Sequence, residues 1–170
     1  RKISLKLPIY PIKGYSLTIP ISDPALAPKL PVLDEHNLVG ITPMGDRIRV
    51  TATAEFAGYD RAHKPSDFAF MMRVTQELYP RGIDYAKAQM WAGLRPMTPD
   101  NLPVLGQRGI GNLWLNTGHG HIGWTMSHGS ARIIADLIGR RRPPIPLDGI
   151  IPAQNRGPTS ADVAASHIPN

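Results

Sequence analysis

Two places in this 170-residue chain combine residue types that could do chemistry. The first is Arg95, which ends the apolar run Trp91-Ala-Gly-Leu-Arg and stands directly before Pro96. A guanidinium held stiffly there could grip a carboxylate through two parallel hydrogen bonds. Spacing alone favours the alternative, an ordinary surface arginine. The second is Asn112-Leu-Trp-Leu-Asn-Thr-Gly-His-Gly-His-Ile-Gly-Trp-Thr125, an apolar strand that runs into glycines opening a helix. Backbone N–H groups at a helix N-terminus carry about half a positive charge and can seat an anion or an electron-rich ring.

The run Gly118-His-Gly-His-Ile-Gly123 also matches the dinucleotide pattern G-x-G-x-x-G. That pattern binds a pyrophosphate only inside a βαβ unit, whose second parallel strand carries an acidic residue. Here the helix leads into Arg140-Arg-Arg-Pro-Pro-Ile-Pro146, which cannot be a central strand. His119, His121 and His128 have no carboxylate near them in sequence, and the helical zinc-protease motif is missing, so no metal site is expected. Without a G-x-S-x-G elbow a serine nucleophile is not expected either.

Composition narrows the class. At 42% hydrophobic and 19% charged residues the chain is globular, and its length is enough for one ordinary core. Eighteen prolines and 16 glycines point to short strands, many turns and an unstructured segment. With no cysteine there is neither a disulfide framework nor a thiolate site. No run approaches the roughly 20 apolar residues of a membrane span, and no signal peptide is visible. A net charge of +6 is spread along the chain, except for Arg140, Arg141 and Arg142. Basic residues do not alternate with aromatics there, so the cluster reads as a solvated helix C-terminus and nucleic acid is not expected as a partner.

The elements that would position these residues can be read from patterning. Residues 8–21 are extended but broken by proline and glycine, and a proline-rich connector follows to residue 31. Residues 38–43 and 47–54 flank Met44-Gly45-Asp46 as a hairpin, with Ile48, Val50, Ala52 and Ala54 on its buried face. A helix capped by Ser66 or Asp67 should bury Phe68, Met71, Met72, Thr75, Leu78 and Tyr79. A strand is expected at 87–94, then a proline-punctuated loop at 95–106, a strand at 113–116 and a helix at 123–138. Residues 1–95 are therefore assigned to a sheet domain and 96–142 to a strand–turn–helix. Residues 143–170 form a proline-rich, mostly disordered tail. Arg1 stands first and Ile3-Ser-Leu-Lys-Leu7 already alternates, so the chain reads as a piece of a larger fold.

Three segments, taken in order, carry a resemblance. They are Pro11-Ile-Lys-Gly-Tyr-Ser16, Gly93-Leu-Arg-Pro-Met-Thr-Pro-Asp-Asn-Leu-Pro-Val-Leu-Gly106, and Asn112 to Met126. Over residues 8–142 the chain resembles the C-terminal part of the FAD-dependent D-amino acid oxidase superfamily, and within it the bacterial D-amino acid dehydrogenases (small subunit). The resemblance implies an α+β fold: an antiparallel substrate-binding sheet with one packed helix, then a strand–turn–helix belonging to a Rossmann-like FAD domain that this chain lacks. It gives Arg95 the substrate carboxylate, and the carbonyl of His121 the substrate amine, with Tyr15 a further candidate substrate contact. Gly118, His119, Gly120, Ile122, Gly123, Trp124 and Thr125 then contact FAD, mainly through backbone, at the pyrimidine edge of the flavin.

The implied reaction is oxidative deamination of a D-amino acid such as D-alanine, by hydride transfer from Cα to the flavin. The imino acid formed then hydrolyses to a keto acid and ammonia. No side-chain base is required if the amine enters neutral. Electrons pass to a quinone in dehydrogenases, or to oxygen in oxidases. The implied partners are the substrate, that acceptor and the missing N-terminal FAD domain. The implied location is cytoplasmic, with peripheral association to the inner face of the bacterial membrane allowed. Two other readings stay open: a flavin-free remnant or binding module of the same fold, and a relative acting on glycine or sarcosine-type amines.

Overall fold

The computed structural model describes residues 4–152 and 156–157. The chain divides into two compact units, one of Pro11–Arg95 and one of Arg1–Tyr10 with Pro96–Asn170.

The first unit is built on a five-stranded sheet in the order β2-β3-β4-β1-β5. Its strands are β1 (Tyr10–Pro20), β2 (Val32–Asp34), β3 (Val39–Met44), β4 (Arg47–Glu55) and β5 (Gln89–Met97). The β2–β3, β3–β4 and β4–β1 pairs are antiparallel. β3 and β4 are joined at Gly45, whose φ of +67° suits a residue without Cβ. At the far end of β1, Ile21 bridges Ile83, and Arg95 lies on Gly14, so β5 runs back along β1 from its C-terminal end.

One face of this sheet is the core. Leu17, Ile19, Val39, Ile41, Ile48 and Val50 are fully buried against Phe68, Met71 and Val74 of the helical segment. That segment begins as a 3₁₀ turn (Pro65–Phe68) and continues as α1 (Ala69–Leu78). The Asp67 carboxylate accepts the Lys64 N–H at 2.9 Å, so the reach-back comes from the third residue of the turn rather than from a Ser66 cap. Val74 is buried and Leu78 is 46% exposed, which rotates the buried stripe slightly from the expected one. At the C-terminus of α1 the Tyr85 hydroxyl donates to the carbonyls of Thr75 (3.0 Å) and Tyr79 (2.7 Å).

The strand β4 alternates as expected only as far as Ala52. Opposite Gly14 and Tyr15 the register slips by one residue: Gly14 pairs with Ala54 but Tyr15 with Ala52. Thr53 is the extra residue, at a φ of +53°. The slip reverses which way β4 presents its side chains. Ala54, expected in the core, is therefore exposed, and Glu55 comes to the side of Lys13 and Tyr15.

The second unit has a two-stranded antiparallel ribbon of β6 (Val104–Gln107) and β7 (Trp114–Thr117), followed by α2 (Gly123–Ile138). β6 lies largely in the stretch 95–106 expected to be loop, because the four residues after Pro103 give too short a pattern to read. Leu105, Ile133, Leu137, Leu147 and Ile151 form this unit's core. Leu147 and Ile151 come from the stretch expected to be mostly disordered, so residues 147–151 are packed; residues 153–155 and 158–170 lie outside the described residues. Near the C-terminus of α2, buried Asp136 accepts hydrogen bonds from Arg132 Nε (2.7 Å) and Arg141 Nε (2.8 Å). Arg141 also donates to the Ala135 carbonyl at 3.3 Å, so one arginine of the basic cluster works as a helix C-terminal cation.

Candidate functional site

Arg95 is half-buried near the end of β5, and its guanidinium lies flat over Gly14 of β1. A Cβ at Gly14 would stand 2.6 Å from both Nε and Nη2. Among the described residues the Arg95 guanidinium has no hydrogen-bond or ion-pair partner. A partly desolvated cation with five donors and no acceptor is prepared for an anion, and its planar fork suits a carboxylate.

The strand face around Arg95 is set by alternation. Gly14 and Ser16 point to it from β1, and Trp91, Gly93 and Arg95 from β5. The Trp91 indole lies over Gly93, where a Cβ would meet Cη2 at 2.1 Å. Ser16 is 3% exposed, and its hydroxyl has no partner among the described residues. These four neighbours of Arg95 were not singled out from the sequence. The available signal was the pair of strand-interior glycines, which mark close approach by another group.

Tyr15 is not on that face. It follows Gly14 in β1 and so points the opposite way, into the core, where its ring meets Phe68 edge-on at 5.4 Å. Its hydroxyl donates to Glu55, and Lys13 approaches the same carboxylate at 3.4 Å. The hydrogen bond to Glu55 and burial hold the Tyr15 phenol above its usual value. Contact with the Tyr15 hydroxyl and with Glu55 raises Lys13 likewise. These groups line a cleft of about 620 Å³ with His63 and Asp67. Strand alternation thus puts Tyr15 and Arg95 on opposite sides of the sheet.

In the second unit the glycine turn is held from below. The Gly120 N–H donates to the Pro96 carbonyl at 3.0 Å, and Thr98 Oγ donates to the Leu102 carbonyl at 2.8 Å. Gly118 and Gly120 have φ of +76° and +57°. A Cβ on Gly118 would meet Thr98 Cγ2 at 3.0 Å, and one on Gly120 would meet Met97 Sδ at 2.8 Å. So the Pro96-Met-Thr98 segment and the 118–123 turn pack directly together, and each glycine is required twice, for its φ and for its closeness.

Past the turn α2 begins without any side-chain cap, and the N–H groups of Gly123, Trp124 and Thr125 have no partner among the described residues. Trp124 is 93% exposed, Ile122 and His121 are also exposed, and the buried His119 Nε2 has no partner among the described residues. An uncapped helix start, a cradle that any Cβ would fill and an orphaned ring nitrogen fit the edge of a flavin. Among the described residues no cluster of three or more His, Asp or Glu could hold a metal ion.

Comparison with known proteins shows the family. Residues 1–137 match the DAO family, FAD dependent oxidoreductase, and the chain belongs to that family. It is 48% identical over 151 residues to D-amino acid dehydrogenase 2 of Mesorhizobium japonicum, covering 89% of this chain and 36% of that protein. With the D-amino acid dehydrogenase of Chromohalobacter salexigens it shares 51% identity over 151 residues, 87% of this chain and 36% of the relative. The chain thus spans about a third of the length of the curated relatives it matches. Among solved structures, glycine oxidase from Geobacillus kaustophilus superimposes with a TM-score of 0.74 at 26% identity, over 86% of this chain and 40% of that one. Iminodiacetate oxidase from Chelativorans sp. BNC1, at 22% identity and a TM-score of 0.71, shares the fold over 87% of this chain and 41% of its own.

Proposed function

We propose that the full-length protein carrying this sequence oxidatively deaminates D-amino acids with short side chains, such as D-alanine. The observation that carries the reading is the guanidinium of Arg95, pressed over Gly14 and without a partner among the described residues. Its two parallel N–H bonds would hold the substrate carboxylate and fix the orientation of Cα. The His121 carbonyl would accept a hydrogen bond from the substrate amine. FAD, when bound, supplies the two-electron oxidation of the Cα–H bond. Gly118, His119, Gly120, Ile122, Gly123, Trp124 and Thr125 would hold it, with the positive end of α2 stabilising negative charge at its edge. An amine that enters neutral leaves no proton for a side-chain base to remove.

The name dehydrogenase borne by the relatives fits an electron acceptor other than oxygen, and the acceptor proposed is a quinone. Among the described residues no helix is long and apolar enough to cross a membrane. Exposed Phe56 and Tyr59, beside Arg61 and Lys64, suit peripheral contact with an anionic inner membrane surface from the cytoplasmic side. A second reading, oxidation of glycine or a sarcosine-type amine, is favoured by the likeness to glycine oxidase. A third, a flavin-free binding module, predicts a colourless protein. The test is the visible spectrum of the full-length protein with FAD under anaerobic conditions. Flavin bands that bleach with D-alanine support the reading; bleaching with glycine or sarcosine alone moves the activity to the second.

A further inference from the structure

We infer that Trp91 sets which side chains the substrate can carry, an inference that rests on the assignment of Arg95 as the carboxylate clamp. The two residues stand on one face of β5, with Gly93 between them. Trp91 does not point away from the sheet; its indole leans along the strand and covers Gly93. That brings an apolar ring to within one same-face step of Arg95, about 7 Å along the strand. Gly14 under the guanidinium and Gly93 under the indole are both buried and have no side chains, so the two groups lie low across the same surface. A carboxylate held by Arg95 places Cα and its substituent in the interval between them.

Trp91 is 59% exposed, so much of its surface is not spent on packing within this unit. A large flat apolar group in that position excludes charged side chains by desolvation and long ones by volume. The class admitted is a short, uncharged side chain.

The experiment measures kcat/KM of the full-length protein for D-alanine, D-leucine and D-phenylalanine in wild type, Trp91→Ala and Gly93→Ala. Trp91→Ala should raise the ratio of D-phenylalanine to D-alanine about tenfold or more, mostly through KM. Gly93→Ala keeps the tryptophan but removes its seat, and should shift the ratio the same way. A ratio unchanged in both variants while wild type oxidises D-alanine overturns the inference and leaves the proposed function standing. A wild type that oxidises no D-amino acid overturns both.

Discussion

The guanidinium of Arg95 occupies the space that a side chain on Gly14 would need, with 2.6 Å between a Cβ there and Nη2. The pairing of a strand-interior glycine with an arginine from the neighbouring strand fixes the height of the cation above the sheet. It follows that Gly14→Ala should displace the guanidinium rather than the backbone, since the clash is with the far end of a flexible side chain. In the full-length protein KM for D-alanine should rise by about tenfold or more, the scale of one charge-assisted hydrogen bond weakened by about 1.5 kcal/mol or more. The melting temperature should change little. Kinetics and a thermal melt on the same variant check both halves.

The glycine turn gives a separable prediction. Gly120→Ala imposes a left-handed conformation on a residue with a Cβ, at about 1–2 kcal/mol, and pushes on Met97 Sδ. The unit should still fold, because Met97 is flexible. FAD affinity should fall, read as an increase in Kd by flavin fluorescence titration, while Gly129→Ala on the open side of α2 leaves it unchanged.

Much of this arrangement was legible in the chain. The hairpin at Gly45 and the helix over 123–138 follow from patterning, whereas Arg95 and the glycine turn take their roles only through the family resemblance, since spacing alone favours a surface arginine. The misplacements have local causes. Ala54 was assigned to the core because one extra residue, Thr53, reverses the alternation, and a bulge leaves no trace in a period-two pattern. Tyr15 and Arg95 come from separate segments of the resemblance, and which face each takes depends on its parity along its strand, which the segments alone do not reveal. Trp91 and Ser16 gain meaning only beside Arg95, and the β1–β5 pairing that brings them there joins residues far apart in sequence.

Asp136 predicts a pH dependence. The hydrogen bonds from Arg132 and then Arg141 hold its carboxyl below the usual carboxylate value, against the opposing effect of burial. A lowered folded value means that its stabilisation is present above the unfolded pKa, near 3.8, and is lost as pH falls through the folded one. Asp136→Asn should lower the melting temperature at pH 7 and flatten its decline below about pH 4 relative to wild type. Thermal melts between pH 2.5 and 7 measure it. Equal slopes in the two proteins would remove Asp136 from the account.

The most direct test of the central claim is Arg95→Lys and Arg95→Ala in the full-length protein, with flavin content and D-alanine kinetics measured together. Losing the bidentate carboxylate contact should lower kcat/KM by the equivalent of about 2–4 kcal/mol, with FAD still bound and the total helix content by circular dichroism unchanged. Unchanged kinetics on D-alanine in Arg95→Ala would contradict the assignment of Arg95 as the group that binds the substrate.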